Sequence, residues 1–234
     1  MLETLHHTEH STGTTNGLGK ALPVVVLLHG LFGSSDNLSV VRKHLQNNFR
    51  VINIDLPDHG KSPRSLRFSF EDYAKQVIDT LQTLEINHTS IIGHSLGGHN
   101  AMFVGVFDLR LKVIVSSCGW TPFHDYYQGN IKGWTSPRYM PALEEEYLLD
   151  PDLVPFDFYE VVAALAPRPF FSNSPLGDDN FSVAGVKKGV AEASKIYQLL
   201  GAEDQIQVVY PDCAHDFPEK IRLDAYEFIQ ESLD

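Results

Sequence analysis

Two hydrophobic rhythms alternate along the chain. Val24-Val25-Val26-Leu27-Leu28 and Arg50-Val51-Ile52-Asn53-Ile54-Asp55 are continuous aliphatic runs rich in β-branched residues. Such runs fit strands buried on both faces, as in parallel sheets. Residues 90–92, 112–116, 168–173 and 206–210 repeat the pattern. Between them, apolar residues recur at helical spacing: Leu38, Val41 and Leu45; then Ala74, Val77, Ile78, Leu81 and Leu84. A small-residue run follows Gly97 to about Phe107, and a later stripe joins Val186, Val190, Ala193, Tyr197 and Leu200. Residues 218–233 read as a final helix. Ser35 or Asp36 can cap the first helix, Ser69 the second, and Gly201 can end the helix over 183–200. Near the start, Leu2 to His7 reads as a short edge strand and 11–19 as a turn or loop. Strands alternating with helices predict an α/β fold, a mostly parallel sheet flanked by helices. Ligand sites in such sheets lie at the carboxyl ends of the strands.

Residues 118–160 break this rhythm. They carry Trp120, Phe123, Tyr126, Tyr127, Trp134, Tyr139 and Tyr147 among several prolines. The segment is short, so it reads as a cap insertion within one domain spanning 1–234. With 234 residues, 43% of them hydrophobic, the chain can bury one sizeable core. A formal net charge of -12 argues against a nucleic-acid partner. Pro23 to Leu28, the longest apolar run, is too short to span a bilayer, so no membrane association is expected. The first residues lack the basic and apolar regions of a signal peptide, and Cys118 and Cys213 make no disulfide framework. A cytoplasmic setting is the expectation. His6, His7 and His10 have no cysteine or carboxylate cluster beside them and read as solvated surface, so no metal site is expected.

The chemistry gathers on the strand-end loops. Gly93-His94-Ser95-Leu96-Gly97 is G-x-S-x-G between a strand and a helix. Its glycines allow the sharp turn that exposes a serine hydroxyl at the top of a sheet. Ser95 then needs a base, and His215, on the loop after the last strand, fits. His94 and His99 lie too close in sequence to approach the hydroxyl correctly, and His29 reads as loop support. A carboxylate must hold the imidazole; Asp178 and Asp179 are adjacent on the loop after the penultimate strand, with Asp178 favoured and Asp179 the alternative. Asp55 reads as structuring the loop that follows it. Oxyanion donors are expected from the backbone N–H groups of Leu96 and Leu31.

His29-Gly30-Leu31-Phe32-Gly33-Ser34-Ser35-Asp36-Asn37, Asp58-His59-Gly60-Lys61-Ser62 and Gly93-His94-Ser95-Leu96-Gly97-Gly98 together resemble the small bacterial carboxylesterases of the α/β-hydrolase superfamily, over about residues 20 to 102. The resemblance implies Ser-His-Asp hydrolysis of carboxylic esters with no cofactor. In the second half, Cys118-Gly119-Trp120-Thr121-Pro122-Phe123, residues 164–169, residues 174–181 and Pro211-Asp212-Cys213-Ala214-His215-Asp216-Phe217 resemble the dienelactone-hydrolase and prolyl-peptidase-like branch. That resemblance also implies Asp178 as the acid; Ala214 departs from the glycine usual before the histidine. The longer helical cap of the first-half esterases is missing. The two resemblances suggest a chimera joined between about Ser90 and Met102.

The expected function is a serine carboxylesterase acting on a small-molecule, short-chain ester through Ser95, His215 and Asp178, with Trp120, Phe123 and Trp134 lining the substrate pocket. Activity is expected to fall in acid, because His215 must be unprotonated to act as base. Two other readings remain: hydrolysis of another acyl bond (thioester, lactone, acetylated sugar or peptide), or a non-catalytic binding protein on the same fold.

Overall fold

The computed structural model describes residues 4–17, 19–64, 70–135 and 139–233. Seven strands form one sheet: β1 (His7–His10), β2 (Val24–Leu28), β3 (Arg50–Ile54), β4 (Thr89–His94), β5 (Leu111–Ser117), β6 (Phe170–Asn173) and β7 (Ile206–Val209). Their order across the sheet is β1-β3-β2-β4-β5-β6-β7. All neighbours are parallel except β1, which runs antiparallel to β3. The helices are α1 (Ser39–Leu45), α2 (Phe70–Thr83), α3 (Leu96–Phe107), α4 (Ala142–Glu145), α5 (Phe158–Leu165), α6 (Val183–Leu199) and α7 (Glu219–Leu233). Among the described residues, no helix is long and apolar enough to cross a membrane.

The continuous apolar runs form strands because both faces of the sheet are covered. Val25, Leu27, Val51, Ile92, Val113, Val115 and Phe171 pack in one layer with α1 and α7. Val26, Leu28, Ile52, Ile54, Ile91, Ile114 and Phe170 point the other way, against α2, α3, α5 and α6. The alternation is the period of two that any strand imposes. Helix α3 is buried from Leu96 through Gly105, which explains its small residues and lack of a polar face.

Several local expectations change. Strand β1 begins at His7 rather than ending there. Leu5 is buried and donates its N–H to Thr80 Oγ1 of α2 at 3.1 Å, so pairing with β3 starts only beyond it. Neither Ser35 nor Asp36 caps α1, because a 3-10 turn over Ser35–Leu38 precedes that helix. The Ser35 N–H instead donates to Asp55 Oδ1 at 2.6 Å. The expected cap Ser69 lies outside the described residues. Gly201 does adopt the left-handed backbone, φ 64°, just past α6.

Residues 118–160 hold 3-10 turns at Phe123–Gly129, Ile131–Trp134 and Pro151–Leu153, together with α4. Their end runs into α5, a helix the sequence reading did not mark. Asp157 starts that helix: its carboxylate accepts the N–H of Phe158 at 2.6 Å and of Phe123 at 3.0 Å. One side chain thus ties α5 to the irregular segment.

Candidate active site

Ser95 stands between β4 and α3 with φ 56° and ψ -122°, a conformation that an L residue adopts only under constraint. The constraint is visible at two glycines. A Cβ on Gly93 would come within 1.9 Å of the Gly97 carbonyl oxygen, and one on Gly97 within 2.0 Å of the Leu28 carbonyl oxygen. Only glycine permits the strand and helix to approach this closely. The Ser95 N–H donates to the Ser117 carbonyl at 2.8 Å, fixing the turn to β5.

His215 lies on the loop between β7 and α7. Its Nδ1 is 3.0 Å from Asp178 Oδ1 and 2.9 Å from Oδ2. The structure therefore brings His215 together with Asp178. Asp179 is exposed and meets Tyr127 through its backbone carbonyl, 2.8 Å from the tyrosine hydroxyl. Burial pushes the Asp178 carboxyl upward, but the hydrogen bonds from His215 and from the N–H groups of Asn180 and Phe181 outweigh it and hold the group below its ordinary value.

Ser95 and His215 line one cavity of about 440 Å³, between the loop after β2 and the start of α7. Leu31 is part of its wall and is 41% exposed, whereas Leu96 is buried in the first turn of α3. Among the described residues, neither the Leu31 nor the Leu96 N–H is taken by another group. Leu31 occupies a turn closed by the Gly33 N–H on the Gly30 carbonyl at 3.1 Å. A Cβ on Gly30 would touch Ser95 Cβ at 3.3 Å, so this loop passes directly beside the serine. His29 anchors the loop from below: its Nδ1 donates to the Gly30 carbonyl at 2.7 Å and its Nε2 accepts the Leu56 N–H at 3.0 Å. Asp55 gathers the Ser35 N–H, the Lys61 N–H at 2.9 Å and His6 Nδ1 at 2.9 Å, structuring the loop beyond β3.

The aromatic residues expected in the pocket are elsewhere. Trp120, Phe123 and Trp134 are each 1% exposed and belong to the core on the α3 and α5 side of the sheet; none lines the Ser95 cavity. The reason is geometric. Gly98 and Gly119 pack against each other beside β5, and the chain beyond them folds inward. Trp120 Nε1 then donates to Ser172 Oγ of β6 at 3.1 Å, and Trp134 stacks on Phe158 and Tyr139 at centroid distances of 5.1 and 5.3 Å. A larger cavity of about 730 Å³ lies outside Pro122 and Phe156 and includes neither Ser95 nor His215.

Support for the site comes partly from residues not singled out in the sequence. Asn173, at the end of β6, donates through Nδ2 to Ser117 Oγ at 2.8 Å and to the Asp216 carbonyl at 2.9 Å. It joins β5 to the His215 loop. Ser117 Oγ is also 3.0 Å from His94 Nδ1, and the His94 and His215 rings are 5.3 Å apart. Burial, followed by the charge of His215, holds His94 down to about 4. The signal for these residues was a polar pair closing an apolar strand, Ser116-Ser117 and Ser172-Asn173. The Cys118 thiol donates to the Asp216 carbonyl at 3.3 Å, and burial pushes the thiol up. Cys118, Asp178 and His215 present possible metal-ligand atoms within 4.8 Å of one another. Two of the three are already engaged with each other. Of the amino-terminal histidines, His6 reaches Asp55, His7 Nδ1 bonds the Leu5 carbonyl at 3.0 Å, and His10 lies between Thr8 Oγ1 at 3.2 Å and Arg42 Nη1 at 3.3 Å.

Comparison with known proteins agrees with this architecture. Residues 23–145 match the profile of the family described as alpha/beta hydrolase fold. Esterase YbfF of Escherichia coli (strain K12) is 42% identical over 78 residues, 33% of this chain and 31% of that protein. The sn-1-specific diacylglycerol lipase ABHD11 of Mus musculus is 34% identical over 108 residues, 43% of this chain and 35% of its own length. The chain thus spans about a third of the length of these relatives. A carbohydrate esterase family 15 glucuronoyl esterase from Caldicellulosiruptor kristjansonii superimposes with a TM-score of 0.72 at 20% identity, covering 98% of this chain and 72% of that one. At that identity the likeness is one of fold.

Proposed function

The chain belongs to the alpha/beta hydrolase fold family, and from that premise we propose that it is a serine carboxylesterase acting on short-chain carboxylic esters. Ser95 attacks the ester carbonyl while His215 takes its proton. Asp178 holds the imidazole in the productive tautomer and stabilises the imidazolium. The N–H groups of Leu31 and Leu96 receive the oxyanion, the alcohol leaves, and water cleaves the acyl-enzyme with His215 again as base. The observation that carries the reading is the His215–Asp178 pair, 2.9 Å at its shorter contact, whose histidine shares one cavity with Ser95, a serine held at positive φ. The two untaken N–H groups beside that serine support it further.

Turnover of p-nitrophenyl acetate and butyrate tests the proposal. Ser95→Ala is expected to abolish nitrophenol release. Asp178→Asn is expected to lower kcat by about 10³–10⁴, the cost of losing the carboxylate behind a catalytic imidazole, and Asp179→Asn to act like the parent. Hydrolysis that does not depend on Ser95 overturns the esterase reading; loss in Asp179→Asn alone overturns the choice of acid.

We propose also that the two halves descend from different hydrolase branches, joined between about Ser90 and Met102. The family match over residues 23–145 runs past this joint, so the proposal rests on the different motif resemblances of the two halves alone. One natural family covering both halves equally well would remove this proposal.

A further inference from the structure

The cavity that holds Ser95 has a cationic corner. Arg222, in the first turn of α7, lines it together with His215 and Asn37. One guanidinium nitrogen, Nη1, donates to the Phe217 carbonyl at 2.6 Å. A guanidinium carries five donors, so this bond leaves most of them unused. Among the described residues, no carboxylate lies within 4.0 Å of Arg222. Its other polar neighbour is the Tyr226 phenol, which burial keeps neutral with a value raised to about 12. Among the described residues the guanidinium therefore forms no ion pair within the chain.

Asn37 adds a second donor. Its Oδ1 accepts the Ser34 N–H at 2.6 Å, so the remaining polar group of that amide is the Nδ2 donor. Leu31, Val40, Val41 and Phe217 supply apolar wall in the cavity these groups share with Ser95. One acid shares the cavity: Asp216, exposed, with Oδ1 accepting the Phe217 N–H at 2.7 Å. Asp216 makes no ion pair with Arg222, so it weakens the positive field of the cavity without neutralising it.

We propose that the preferred ester carries a carboxylate, held by Arg222 with Asn37 while its ester carbonyl lies at Ser95. The inference rests on the reading of Ser95 as nucleophile and deepens it by naming the substrate class. Apolar walls lower the local dielectric, so a guanidinium–carboxylate contact gains strength there relative to open water.

Matched ester pairs test this, because each differs in one charge only. 4-Nitrophenyl hydrogen adipate against 4-nitrophenyl methyl adipate places the charge on the acyl side. 4-Acetoxybenzoate against its methyl ester places it on the alcohol side. The parent protein is expected to favour the charged member of one pair by about tenfold or more in kcat/KM, the range of a charge-assisted hydrogen bond. Whichever pair shows it identifies the side. In Arg222→Gln the ratio within that pair collapses toward one, Arg222→Lys retains part of it, and Asp216→Asn raises it. A ratio needs only folded protein, so a less stable variant still reports. No preference in either pair, or a ratio unchanged in Arg222→Gln, overturns the proposal. If no ester is cleaved in a Ser95-dependent way, the esterase reading fails on its own. Calorimetric binding of monomethyl adipate then decides the anion site: about tenfold weaker binding in Arg222→Gln upholds it, and equal binding overturns it.

Discussion

His94 precedes Ser95 and is mostly enclosed by β5 and the His215 loop, with its value lowered from 6.5 to about 4. The unfolded chain therefore binds this proton more readily than the folded one. Stability associated with His94 is complete above about pH 6.5 and declines as the pH falls toward 4. A shift of that size corresponds to a loss of about 2–3 kcal/mol between pH 7 and 4.5. Urea unfolding at those two pH values measures it, and His94→Gln is expected to shrink the difference by that amount. An equal decline in both proteins removes His94 as the source. The sequence placed His94 too near Ser95 to act as its base, but it could not reveal the Ser117 hydroxyl across the sheet. Ser95, His215 and the choice between two adjacent aspartates were readable because strand ends mark where chemistry gathers. Selecting Asp178 over Asp179 on geometry required the loop's path, and Arg222 carries no pattern that separates it from any helical surface arginine.

The regular elements followed from patterning because parallel strands buried on both faces leave an unmistakable apolar run. The segment over 118–160 did not. Its aromatic residues suggested a pocket, yet aromatic rings fill cores and pockets alike, and only the three-dimensional packing places these in the core. Helix α5 was missed because its eight residues sit between a 3-10 turn and a proline pair, without two full apolar turns. Trp120→Phe discriminates between the two roles. A structural Trp120 predicts a loss of about 1–3 kcal/mol, from the bond to Ser172 and the volume removed. The KM for p-nitrophenyl butyrate is then expected to stay within about twofold, since a residue outside the cavity has no contact with substrate. A large rise in KM without loss of stability returns Trp120 to the pocket.

At the scale of the molecule, two covered faces of one sheet bring four loops to one end, and the site is assembled from both halves of the chain. The half before residue 118 contributes Ser95, the proposed oxyanion donors Leu31 and Leu96, and Asn37 to the candidate site. The half after it contributes Asp178, His215, Asn173 and Arg222. Asn173, bonded at once to Ser117 and to the Asp216 carbonyl, is a polar link between them beside the site.

Strand β1 lies at one margin of the sheet, antiparallel to β3, and its sequence is His7-Thr8-Glu9-His10. Beneath it run Val51, Ile52 and Ile54, all fully buried. Unpaired backbone along so apolar a strand is a template for another chain's strand. The short, ionisable β1 covers that strand and is expected to guard it against self-association, and the Arg50–Glu9 ion pair at 2.8 Å fastens it. Removing residues 1–10 is expected to raise light scattering, increasingly with concentration and time, above that of the parent. A truncated chain that remains as disperse as the parent would show that β3 needs no such cover.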